Sequence, residues 1–83
     1  MPRRFSRWYF EPHALDRMMQ RNISEQQVKD AVLHPDRLYM YGKGIRRGPK
    51  WNFIKSVGGD TLQVSAEFAN DTCYIVTAFW KDL

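Results

Sequence analysis

The feature that most constrains this chain is a change of hydrophobic period at His34-Pro35. A residue before proline is pushed out of the α region, so a helix ends there. Upstream, apolar residues recur at helical spacing; downstream, they alternate. Glu11-Pro12 opens a first helix, because proline at the first helical position loses no intrahelical hydrogen bond. That helix is expected to run from His13 to Arg21 and to stop near Asn22, which tolerates a left-handed cap. Leu15, Met18 and Met19, with Ala14, are expected to form its core stripe. A second helix follows at once. Ser24 and Gln27 have capping-box spacing, and Ile23 with Val28 suits a hydrophobic staple. Val28, Ala31 and Val32 continue its apolar face, with Leu33 alongside.

Beyond Pro35 the alternation predicts strands over Arg37–Tyr41, Trp51–Val57, Thr61–Ala69 and Tyr74–Trp80. Gly42, Gly44, Gly48 and Pro49 mark the first turn, Gly58-Gly59-Asp60 a hairpin, and Asn70-Asp71 the last. Leu62, Val64, Ala66 and Phe68 share one face of their strand; Gln63, Ser65 and Glu67 share the other. Tyr74–Trp80 is nearly all apolar, which suits a central strand covered on both faces. The expected fold is α+β, with two N-terminal helices packed on a four-stranded antiparallel sheet joined by short turns. Residues 1–83 are expected to form one domain, with residues 1–10 a basic arm or an extra edge strand.

Three Trp, four Tyr and five Phe in 83 residues argue against disorder. One cysteine, Cys73, excludes an intrachain disulfide and a Cys-rich zinc site and fits a reducing compartment. The N-terminus lacks an apolar h-region, and no apolar run approaches the roughly 18 residues that span a bilayer. A cytoplasmic location and no membrane partner are the expectation. Thirteen Lys and Arg against nine Asp and Glu give a net charge of +4, which favours anionic partners.

His13, Arg17 and Arg21 fall at i, i+4 and i+8 and so line one helical face. An imidazole exchanges protons near neutral pH, and guanidiniums hold phosphate and stabilise charge building on it. The same spacing also describes an ordinary solvated face paired with Asp16 or Asp30. Both readings stay open at this point. Lys43, Arg46, Arg47 and Lys50, with Tyr41 and Trp51 beside them, form a basic aromatic cluster able to steer RNA and stack bases, or a solubilising hairpin tip. Arg3, Arg4 and Arg7 with Trp8 and Tyr9 make a third such patch, and His34 suits a helix end. A Gly-rich phosphate loop, an HExxH and a Cys/His cluster are all absent from the sequence, so no cofactor and no metal site are expected.

The run His13-Ala-Leu-Asp-Arg17-Met-x-x-Arg21-Asn-Ile-Ser-Glu, then His34-Pro-Asp-Arg37, then Ile75-Val-Thr77-Ala-Phe79-Trp80 resembles domain-of-unknown-function family 4258. That family reads His-Ala-x-x-Arg-Met-x-x-Arg-Gly-Ile-Ser, an Asn-Pro-Asp-x turn and a closing Val-Thr-x-aromatic strand. Asn22 stands where the family commonly has Gly, a mild departure because Asn accepts positive φ. The family is similar to the RelE and BrnT toxins, many of which cut RNA without a metal. The resemblance implies a RelE-like domain acting as a metal-independent endoribonuclease, the toxin of a toxin–antitoxin pair, with RNA (free or on the ribosome) and an antitoxin protein as partners. It implies a site where the first helix meets the sheet, drawing on His13, Arg17, Arg21 and Thr77. Trp80 would then offer a stacking surface, and Lys43, Arg46, Arg47, Lys50 and Trp51 would bind RNA. A non-catalytic RNA- or protein-binding module of the same fold is the alternative.

Overall fold

The helix boundaries follow from their capping residues. The structure is a computed structural model that describes residues 4–44 and 48–81, apart from the side chains at 41 and 43. It places helix α1 at Pro12–Gln20 and helix α2 at Glu25–Leu33. Pro12 opens α1 as expected, and Leu15 N–H donates to the Glu11 carbonyl at 3.0 Å. Asn22 adopts φ +56°, the left-handed value its side chain tolerates, and this lets Ile23 N–H reach back to the Met18 carbonyl at 2.8 Å. The capping box is complete. Ser24 Oγ accepts from Gln27 N–H at 3.0 Å, and Gln27 Oε1 accepts from Ser24 N–H at 2.9 Å.

The first helix buries less than its apolar stripe suggests. Ala14 and Met18 are buried, but Leu15 is 41% and Met19 83% exposed. A nine-residue helix lying on a sheet buries one narrow line, here the i, i+4 pair 14 and 18. Residues 15 and 19 sit one position further round. Leu33, at the end of α2, is exposed for want of a following turn.

The expectation of a four-stranded antiparallel sheet is overturned. The sheet has five strands and is mixed: β1 (Arg7–Phe10), β2 (Arg37–Gly44), β3 (Gly48–Val57), β4 (Asp60–Ala69) and β5 (Thr72–Lys81), in the order β1-β5-β4-β3-β2. The β2–β5 meander is antiparallel as its short turns require, but β1 lies parallel to β5, with Trp8 opposite Cys73 and Phe10 opposite Ile75. Ser6 and Arg7 N–H groups both donate to the Asp71 carbonyl, at 3.0 and 3.1 Å. Ser6 Oγ donates to the Asp71 carboxylate, and Arg7 Nη2 donates to the Asn70 carbonyl at 3.3 Å. A parallel partner some sixty residues away leaves no turn between the two strands for the sequence to reveal.

The core lies between the helices and one face of the sheet. Ala14, Met18, Val28 and Ala31 from the helices pack with Phe53, Leu62, Val64, Ala66, Cys73, Ile75 and Ala78. Burial pushes the Cys73 thiol up to about 12. In β5 a register shift sets Thr77 opposite Ser65 and Ile75 opposite Ala66, leaving Val76 as an extra residue. Both helices pack on this core face, so β5 is not covered on both sides as its apolar run suggests; Tyr74, Thr77 and Phe79 point to the face without helices and are half-buried.

Candidate functional site

Strand alternation puts two rows of polar and aromatic side chains on the sheet face opposite the core. Leu62, Val64 and Ala66 face the helices, so Gln63, Ser65 and Glu67 face away from them. The first row runs Lys50 (β3), Glu67 (β4), Tyr74 (β5) and Tyr9 (β1), each opposite the next. The second runs Tyr39 (β2), Asn52 (β3), Ser65 (β4) and Thr77 (β5). Among the described residues, no helix covers this face.

Three of these polar side chains are nevertheless buried: Glu67 is 4%, Asn52 3% and Ser65 6% exposed. A fully buried carboxylate or amide is costly unless it is held by hydrogen bonds or charge. Ser65 Oγ donates to Asn52 Oδ1, which fixes the orientation of both groups. The polar centre is flanked by rings. Tyr9 and Tyr74 lie edge-to-face with centroids 5.7 Å apart, and Tyr39, 40% exposed, closes the opposite side. An ammonium and a phenol thus share one face of the sheet with a buried carboxylate and with hydroxyls. Such a set can grip a phosphate, move protons and stack on a planar group.

The side chains picked out by sequence divide between two locations. Thr77 and Lys50 lie on the helix-free face. His13, exposed, and Arg17, half-buried, project from α1, which packs on the other face. Arg17 Nη1 donates to Gln20 Oε1 at 3.2 Å. Arg21 caps the end of α1 against the sheet: its Nη1 donates to the Ala78 carbonyl at 3.0 Å, and its own carbonyl accepts from Trp80 Nε1 at 2.8 Å. The first helix and last strand therefore do meet, but at Arg21 and Trp80. Thr77 and Trp80 are three residues apart in one strand, an odd spacing that sends them to opposite faces. Trp51, likewise, packs against the core while Lys50 points away. The Lys43 side chain, Arg46 and Arg47 lie outside the described residues.

Sequence reasoning missed Asn52, Glu67 and Tyr74 as site residues. The alternation of β4 already assigned Ser65 and Glu67 to the non-core face, but nothing in a single strand shows that such residues are buried there. Tyr9 was visible only as part of a basic aromatic N-terminal patch. Among the described residues, no group of three or more His, Cys, Asp or Glu is placed to hold a metal ion. No helix of the described residues is long and apolar enough to cross a membrane.

A family described as domain of unknown function (DUF4258) matches residues 10–80. No curated protein and no solved structure matches the chain.

Proposed function

The chain belongs to this DUF4258 family, and from its geometry we propose that it is an RNA-cleaving protein of the RelE and BrnT toxin type, working in the cytoplasm through the helix-free face of its sheet. One observation carries the reading: Lys50, Glu67 and Tyr74 stand side by side on three adjacent strands of that face. The net charge of +4 agrees with an anionic substrate.

In the proposed reaction an RNA 2′-hydroxyl attacks the neighbouring phosphorus. The Lys50 ammonium draws in the phosphate and stabilises charge on its non-bridging oxygens. The Glu67 carboxylate accepts the 2′-hydroxyl proton. The bond from phosphorus to the 5′-oxygen breaks, Tyr74 supplies a proton to that oxygen, and the products are a 2′,3′-cyclic phosphate and a 5′-hydroxyl. Thr77 and Ser65 lie in the neighbouring row, where a hydroxyl can meet the sugar or base. An antitoxin protein would be the natural partner of such an activity.

A second reading, RNA binding without cutting, is favoured by a specific observation: His13 and Arg17 are on a helix packed against the other face from Thr77 and Lys50. Cleavage of a mixed-sequence RNA in EDTA by wild type, Lys50→Ala and His13→Ala separates the readings. Cleavage lost in Lys50→Ala and kept in His13→Ala is the expected result. The reverse pattern moves the chemistry to α1. No cleavage, with salt-sensitive binding that Lys50→Ala weakens, leaves the binding module.

A further inference from the structure

We propose that Tyr9 and Tyr74 form a stacking subsite for one unpaired base, and that the face therefore takes single-stranded RNA of at least three nucleotides. The inference rests on the reading of the helix-free face as an RNA site. Its starting point is β1, which alternates sharply: Trp8 and Phe10 pack against the core, while Tyr9 between them turns to the other face and stays 45% exposed. An aromatic ring left this open, with a second, half-buried ring set edge-to-face against it 5.7 Å away, offers one braced ring for a base at the end of the polar row.

Position then sets the ligand's length. Lys50 and Tyr9 are separated by three inter-strand steps along one row, about 14 Å. With both side chains standing upright from the sheet, a phosphate held at Lys50 and a base resting on Tyr9 are spaced for different nucleotides. The chain must cross β4 and β5 between them, so the base seated on the rings lies beyond the phosphate's immediate neighbour. A duplex hides the faces of its bases in the stack, whereas a single strand can splay one onto a ring. Stacking accepts every base, so the subsite adds affinity without fixing sequence.

The test uses 2′-O-methyl oligouridylates, which cannot undergo 2′-hydroxyl attack, with two and six nucleotides. Binding is measured for wild type, Tyr9→Leu, Tyr9→Trp and Lys50→Ala. Tyr9→Leu is expected to lose roughly tenfold in affinity for the six-nucleotide probe. It should leave the weaker two-nucleotide binding unchanged, while Tyr9→Trp restores the loss and its added fluorescence is quenched by the longer probe. Lys50→Ala weakens both probes. If Tyr9→Leu binds the long probe as wild type does while Lys50→Ala still weakens it, the stacking subsite is refuted and the RNA face stands. If no probe binds wild type, the RNA reading itself fails and the subsite with it. Should Tyr9→Leu not fold, quenching in Tyr9→Trp decides: no quenching by a bound six-nucleotide probe overturns the proposal.

Discussion

Replacing Arg21 with alanine distinguishes a structural from a catalytic arginine. The sequence puts Arg21 in line with His13 and Arg17, yet its guanidinium is committed to the Ala78 carbonyl at 3.0 Å. A hydrogen bond from a charged donor contributes about 1.5–3 kcal/mol. Arg21 is an exposed residue, and water screens and competes for the guanidinium, so its contribution falls below that range, to about 1 kcal/mol. The loss should be no larger, because Trp80 Nε1 donates to the Arg21 backbone carbonyl, which alanine retains. In a domain of this size about 1 kcal/mol lowers Tm by roughly 4–8 °C. Thermal unfolding followed by circular dichroism reads that shift, and RNA cleavage or binding measured well below Tm reads function. Arg21→Ala is expected to melt earlier and to keep its RNA activity. An unchanged Tm together with abolished activity would refute the reasoning and return Arg21 to the catalytic face of α1.

Two other outcomes follow from the core. Ile75→Ala removes a side chain with no exposed surface at the point where α1, β1 and β5 meet, and should cost about 2–5 kcal/mol in urea titration. A domain of this length has only about 4–12 kcal/mol in all, so a loss below 1 kcal/mol would mean the site is not close-packed. Cys73, whose thiol burial holds at about 12, should resist alkylation at pH 8 in the native protein and react once urea unfolds it. Its native value is raised above the ordinary 9.0, so its contribution to stability is complete below pH 9 and is lost as pH rises from 9 towards 12. Equal alkylation rates in native and unfolded protein would contradict the burial.

The sequence by itself determined whatever depends on neighbours along the chain. Pro12, Asn22, the Ser24–Gln27 box and Pro35 mark the ends of both helices, because caps act within a turn of the residues they serve. Gly58 and Gly59, at φ +55° and +93°, fix the β3–β4 hairpin for the same local reason. Alternation in β4 separated Val64 and Ala66 from Ser65 and Glu67 without reference to any other strand. Tertiary structure alone decided what depends on distant partners. Arg7–Phe10 is too short to reveal its parallel pairing with β5, which is formed by hydrogen bonds to residues some sixty positions away. That pairing carries Tyr9 to Tyr74, and the cross-strand register carries Lys50 to Glu67 and Asn52 to Ser65. The helical stripe of His13, Arg17 and Arg21 was legible as a pattern. Its separation from Thr77 was not, because the face a strand residue takes is fixed only by which side of the sheet the helices cover.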